Sequence, residues 1–288
     1  MQSINNIQEP TGTEKPILNV KGLTVRYGKG CPHCMNGGEL NKNTCPKCHT
    51  VWAANGVDIE LYKGEILGIV GESGSGKSTL MKSIYFDFPV TEGEAYISSY
   101  MEGKKNIFAV NLQQKKFIRN NIMGMVYQNP VLGLRMDYSA AGNIAEKLIA
   151  AGGRNFGKMT ERAKGLLDSV EILEERMKEP PKNFSGGMQQ RVQISKALAN
   201  NPEVLLLDEV TTGLDLSVQA KVLDLIRKIR QEFGVSILLV SHDLAVIRML
   251  ADRTVVMLDG KVIERGLTDQ ILDDPQHPYT QQLVHSLL

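Results

Sequence analysis

Gly71-Glu72-Ser73-Gly74-Ser75-Gly76-Lys77-Ser78-Thr79 fits the pattern G-x-x-x-x-G-K-[ST]. It stands between an apolar run, Glu65-Ile66-Leu67-Gly68-Ile69-Val70, and a stretch with helical spacing from Lys77 to Phe86. Strand, glycine loop and helix in that order form a phosphate-binding unit. Glycines let the backbone curl so that successive N–H groups face phosphate oxygens, and the following helix adds about half a positive charge at its start. Lys77 is expected to neutralise the β and γ phosphates and Ser78 to ligate Mg²⁺. The bland alternative is a flexible glycine turn, which the flanking strand and helix disfavour.

Downstream, Val204-Leu205-Leu206-Leu207-Asp208-Glu209 is an apolar run ending in two carboxylates, which puts both acids at the C-terminal edge of a buried strand. Ligands of open α/β sheets gather at that edge. Asp208 is expected to hold the Mg²⁺ shell and Glu209 to orient the water that attacks the γ-phosphate. Acids at a strand end can also be merely solvated; the phosphate loop weighs against that here.

Around these motifs the periodicities alternate. Ile17 to Tyr27 and Val51 to Leu61 read as strands, and Val235 to Val240 as a buried one. Ser217 to Phe233 and Asp243 to Leu250 read as helices, with a hairpin at Asp259-Gly260. Between Asn129 and Phe184 the pattern is mainly helical, notably Asn143 to Ala151 and Thr160 to Ile172. Alternating strands and helices predict an α/β fold with a largely parallel sheet and right-handed crossovers. We find no internal repeat.

All four cysteines lie in a Gly-, Asn- and Lys-rich stretch too poor in apolar residues to make its own core. Cys31-Pro32-His33-Cys34 and Cys45-Pro46-Lys47-Cys48 are two C-x-x-C knuckles separated by ten residues, Met35 to Thr44. Such spacing points to a structural Zn²⁺ held by Cys31, Cys34, Cys45 and Cys48. An iron–sulfur cluster, a redox pair and disulfides are the alternatives, the last disfavoured in a reducing compartment. A closed four-thiolate shell leaves no position open for substrate, so support or docking suits the insert better than catalysis.

The bulk composition excludes other classes. Lys plus Arg is 33 against 32 Asp plus Glu, a balance that gives no field aimed at nucleic acid or an anionic membrane. No apolar stretch approaches the roughly 18 residues that span a bilayer, and the start lacks a signal peptide's charged and apolar regions. A cytoplasmic protein follows, peripheral to a membrane only through a partner.

Phe184-Ser185-Gly186-Gly187-Met188-Gln189-Gln190-Arg191 lies shortly before the acidic strand, and with it the chain resembles the ATP-binding-cassette (ABC) ATPases. Two departures are visible: Met188 stands where many members carry Gln, and Val210 follows Glu209 where Pro is usual. Neither removes a charge needed for hydrolysis. The resemblance implies an ATPase with the P-loop NTPase fold: a mixed, largely parallel sheet core, an antiparallel β subdomain and a helical signature subdomain. It implies ATP contacts from Gly71 to Thr79, with Tyr27 stacking on adenine, and Ser78, Asp208 and Gln128 at Mg²⁺. Glu209, His242, Gln128 and Lys77 would carry hydrolysis. Tyr27 as a core aromatic, Gln128 as a turn residue and His242 as a strand-end imidazole are the plain alternatives.

The same resemblance places Ser185, Gly186, Gly187, Met188 and Gln189, with Asp215 in the loop Thr212-Gly213-Leu214-Asp215, in the site of a second monomer. A head-to-tail dimer follows, a homodimer or a pairing with a related ABC ATPase. The expected division is a flexible tail at 1–16 and an ATPase domain at 17–265, with a C-terminal helical extension at 266–288. The ATPase domain would hold the zinc-knuckle insert at 28–51 and the helical subdomain at 129–185. Starting directly after Tyr27, the insert should emerge near the adenine end of the site.

Two subfamilies compete. The ending Asp274-Pro275-Gln276-His277-Pro278-Tyr279-Thr280 resembles the ATPase subunits of peptide and nickel importers, which power membrane permeases, and the second subfamily shares that ending. The stretches Gly133-Leu134-Arg135, Ser139-Ala140-Ala141-Gly142-Asn143-Ile144 and Gly153-Arg154-Asn155-Phe156-Gly157 are more similar to the accessory ATPases of the carbon–phosphorus lyase machinery. That second resemblance implies docking on a soluble lyase core in phosphonate catabolism. Ribosome- and DNA-associated cassettes usually hold two cassettes or a long coiled coil, and neither is present here.

Overall fold

The structure is a computed structural model that describes residues 15–285, so positions 1–14 of the expected tail lie outside the described residues. The strands are β1 (Leu18–Tyr27), β2 (Val51–Leu61), β3 (Ile66–Val70), β4 (Glu92–Ile97), β5 (Met123–Val126), β6 (Val204–Asp208), β7 (Ser236–Val240), β8 (Arg253–Leu258) and β9 (Lys261–Leu267). The helices are α1 (Pro32–Met35), α2 (Lys77–Ile84), α3 (Leu112–Phe117), α4 (Pro130–Gly133), α5 (Ala140–Ala150), α6 (Phe156–Ser169), α7 (Gly186–Ala197), α8 (Leu216–Phe233), α9 (Leu244–Leu250), α10 (Thr268–Asp273) and α11 (Pro278–His285).

Six strands form the central sheet in the order β5-β6-β7-β3-β8-β9, and three form a second sheet in the order β2-β1-β4. The six-stranded sheet is parallel except for the β8–β9 hairpin, and the three-stranded sheet is antiparallel. This is the α/β architecture that the sequence predicts.

Period-two alternation explains why the central strands read as unbroken apolar runs. Ile66, Val70, Leu205, Leu207, Ile237 and Leu239 face one core, which holds the helical layer of α5 to α9. Leu67, Ile69, Val204, Leu206, Leu238 and Val240 face the other, packed on α2 and the antiparallel sheet. Every residue of β3, β6 and β7 is buried. The sheet's C-terminal edge is therefore where polar side chains can emerge.

Local caps set the helix boundaries. Ser139 starts α5 by accepting the Gly142 N–H at 3.0 Å, so this helix begins before Asn143. Asn143 is then fully buried, and its amide clasps Arg135: Oδ1 accepts from the Arg135 N–H at 2.7 Å and Nδ2 donates to the Arg135 carbonyl at 3.0 Å. Asn155 caps α6 through the Lys158 N–H. Among the described residues no helix is long and apolar enough to cross a membrane.

Candidate active site

The loop between β3 and α2 needs glycine at both ends. Gly71 and Gly76 have φ of 147° and 101°, and a Cβ on either would run into the carbonyl of Met257 or of Ala53 respectively. Backbone crowding thus dictates the residue type, as well as the left-handed φ. Gly76 opens α2 with no side-chain cap, which leaves the first N–H groups of the helix free to meet an anion.

Lys77 folds back under this loop. Its Nζ donates to the Gly71 carbonyl at 2.7 Å and the Glu72 carbonyl at 2.8 Å. Burial pushes its pKa down, opposed by the charges of Glu209, Asp208 and Glu72. A buried ammonium bonded only to neutral oxygens is short of negative charge, which a phosphate would supply.

β6 delivers the acids as its sequence requires. Asp208 is 1% exposed; it accepts from the Ser78 hydroxyl at 2.8 Å and lies 3.7 Å from the Lys82 Nζ. Burial raises its pKa, while Ser78 and Lys82 pull it back. A hydroxyl and a carboxylate in contact beside a phosphate loop make a hard oxygen pair suited to Mg²⁺.

One residue on, the Oε2 of Glu209 gathers three groups: the Gln128 Nε2 at 3.0 Å, the Thr212 hydroxyl at 3.3 Å and the His242 Nδ1 at 3.3 Å. A depression of 290 Å³ joins Gln128 and Glu209 to Ser73, Gly74, Gly76, Lys77, Ser78 and Thr79. Tyr27 does not line it; 46% exposed, it lies edge-on to Phe88 with ring centroids 6.4 Å apart.

The signature residues are also outside this depression. Ser185 caps α7, its hydroxyl accepting the Met188 N–H at 3.4 Å, and a Cβ on Gly187 would strike Val218 of α8. Gln189 is tied to its own segment, donating to the carbonyls of Pro181 at 3.0 Å and Phe184 at 3.1 Å. Met188 Sδ accepts from Arg176 at 3.3 Å. Asp215 caps α8 by accepting the Val218 N–H at 3.0 Å.

The four cysteines come together as their spacing suggests, all ligand atoms within 4.8 Å of one another. Sγ separations are 3.9 Å for Cys31–Cys34 and 3.7 Å for both Cys31–Cys45 and Cys34–Cys48. Tetrahedral sulfur at the usual zinc–thiolate bond length gives edges of about 3.8 Å. Disulfide sulfurs would be far closer, and all four thiols are free. Hydrogen bonding to the Thr50 hydroxyl, and then to its backbone, brings Cys48 down to about 6. The cluster packs on Trp52 of β2.

Two contributors were not legible in the sequence. The Tyr279 hydroxyl on α11 accepts the Glu72 N–H of the phosphate loop at 2.8 Å. Asn43, from the cysteine insert, lines the phosphate-loop depression. The order of motifs gave no signal for either.

The sequence matches the ABC transporter family over residues 54–212. It is 46% identical over 276 residues to the phosphonates utilization ATP-binding protein PhnK of Escherichia coli (strain K12), spanning 95% of this chain and 98% of that one. Against the oligopeptide transport ATP-binding protein OppF of Lactococcus lactis subsp. lactis (strain IL1403) it is 36% identical over 276 residues, spanning 94% and 80%. The dimeric structure of a post-hydrolysis state of the ATP-binding cassette MJ0796, bound to ADP and Pi, superposes with a TM-score of 0.72 at 29% identity, covering 87% of this chain and 98% of that one. The family match takes in the phosphate loop, the signature helix and the paired acids, and this chain belongs to the ABC transporter family as an ATP-hydrolysing, ATP-binding subunit.

Proposed function

We propose that this ABC ATPase serves phosphonate utilisation by docking on a soluble carbon–phosphorus lyase core, with ATP turnover remodelling that core. The observation that carries this reading is the 46% identity to PhnK across nearly both whole chains, against 36% to OppF. The segment that sets the subfamilies apart in sequence is also built in: Asn143 clasps Arg135, and Gly133 leaves room for Gln193. The importer reading keeps its support from the oligopeptide and dipeptide transport relatives.

In the catalytic cycle Gly71 to Thr79 wrap the phosphates and Lys77 turns its charge on them, while Ser78, Asp208 and Gln128 would hold Mg²⁺, which would neutralise phosphate charge. Glu209 takes hydrogen bonds from the attacking water while His242 and Gln128 hold it in place. Tyr27 stacks on adenine. Ser185 to Gln189 and Asp215 complete the site of a second monomer in a head-to-tail dimer, and the similar MJ0796 cassette is dimeric in its post-hydrolysis state. Cys31, Cys34, Cys45 and Cys48 would hold Zn²⁺, which would fix the fold of the insert. The domain limits follow the sequence: ATPase at 17–265 with the insert at 28–51 and helical subdomain at 129–185, then the extension from 266. The protein works in the cytoplasm.

The test is an affinity capture of the intact chain from a cell that expresses its native neighbours. Soluble lyase subunits among the captured proteins support the phosphonate role. Membrane permease subunits in their place overturn it.

A further inference from the structure

The cysteine insert reaches the nucleotide site itself. Between its two knuckles the chain makes a tight turn in which Asn41 and Thr44 exchange backbone hydrogen bonds at 2.9 and 3.0 Å, with Lys42 at φ 54°. Asn43 is at the tip of this turn. Its carbonyl accepts the Trp52 N–H at 2.7 Å, which pins the tip to β2 one residue before Ala53. Ala53 is the residue whose carbonyl is pressed against Gly76. Asn43, Val51 and Ala53 line the 290 Å³ depression together with Ser73, Gly74 and Gly76 to Thr79.

The Asn43 side chain is prepared as a donor. Its Oδ1 accepts the Thr44 hydroxyl at 3.3 Å, which orients the amide, and among the described residues nothing engages its Nδ2. An unengaged amide N–H on a residue that lines a phosphate-loop depression is within the neighbourhood of a nucleotide's acceptor oxygens, on its phosphates or its ribose. The tip has no core of its own to hold it: Cys45 follows Thr44 directly, is fully buried, and donates its N–H to the Thr50 carbonyl at 2.9 Å. The position of Asn43 is therefore set by the same four sulfurs that pack on Trp52.

We infer that Asn43 is a nucleotide-binding residue supplied by the cysteine insert, and that metal loading of the insert thereby governs affinity for ATP. This rests on the ATP-site and zinc readings above, and the experiment separates their failure from its own. The probe is a slowly hydrolysed ATP analogue with Mg²⁺, titrated into full-length protein whose zinc content is measured in parallel. Asn43→Ala is expected to keep about one zinc per chain and to raise Kd about tenfold, the loss of one hydrogen bond to a charged acceptor. Asn43→Asp, which sets a carboxylate beside the phosphates, should weaken binding further. Lys47→Ala, an exposed change elsewhere on the insert, should bind as the wild type does.

Stripping zinc from the wild type should raise Kd at least as much as Asn43→Ala, and stripping it from Asn43→Ala should add little, the signature of a shared pathway. Zinc-replete Asn43→Ala binding at wild-type affinity overturns the inference, as does affinity indifferent to zinc. A wild type that binds no nucleotide at all would instead overturn the ATP site, and one that purifies without metal would overturn the zinc.

Discussion

Glu209 holds a left-handed φ of 48° at the end of β6, with Val210 buried behind it. Non-glycine residues occupy that region at a cost, and they persist where the surroundings over-determine them. Here the surroundings are Gln128, Thr212 and His242, all converging on one carboxylate oxygen. On the proposed role of Glu209, exchange of that carboxylate for an amide removes the acceptor strength needed by an attacking water and leaves the phosphate loop intact. Glu209→Gln is thus expected to bind Mg-ATP within about twofold of wild type while phosphate release falls about a hundredfold or more. Steady-state release near the wild-type rate would show that another group orients the water. Glu209 was readable because it ends an apolar strand, and Gln128 and His242 through the family resemblance, whereas Thr212 was read only as part of a loop serving the second monomer. Asn43 and Tyr279 carry no such mark: an asparagine in a polar turn and a tyrosine in a remote helix acquire meaning only through the backbone that brings them in.

At the scale of elements, the insert between β1 and β2 is the one that apolar packing cannot account for. Among the described residues its buried apolar cluster consists of its cysteines and Leu40 packed on Trp52 of β2. The backbone instead wraps sulfur, as where the Cys31 N–H donates to the Cys34 Sγ at 3.3 Å. Replacement of Cys45 and Cys48 by serine should abolish zinc binding, taking metal content from about one per chain toward zero. An unchanged zinc content by elemental analysis would count against the site. Strands β3, β6 and β7 were legible because both faces are buried, and helix α8 because Val222, Leu223, Ile226 and Ile229 fall on one stripe. β4 and β5 were not, since Glu92-Gly93-Glu94 and Met123-Gly124-Met125 interrupt both patterns with glycine. Their strand state comes from pairing: β5 against β6, and β4 against β1. Tertiary context decided what local propensity left open.

For the molecule as a whole, the signature helix and the phosphate loop do not share a depression within one chain. α7 starts with a serine and two glycines, the second packed against α8 so closely that no side chain fits. On the proposed dimer, a second copy would bring its nucleotide to this terminus. The hydrolysis-deficient Glu209→Gln chain should therefore become dimeric on addition of Mg-ATP, doubling its mass by light scattering. A monomer at saturating nucleotide would overturn the head-to-tail dimer.

The hydrogen bond from the Glu72 N–H to the Tyr279 hydroxyl joins positions 207 residues apart. As the polypeptide leaves the ribosome, the glycine turn emerges with most of the protein still to be made, and domains fold as units as they appear. Until α11 has been made, that amide lacks its Tyr279 partner, so the phosphate loop acquires this last restraint long after its own residues have left the exit tunnel.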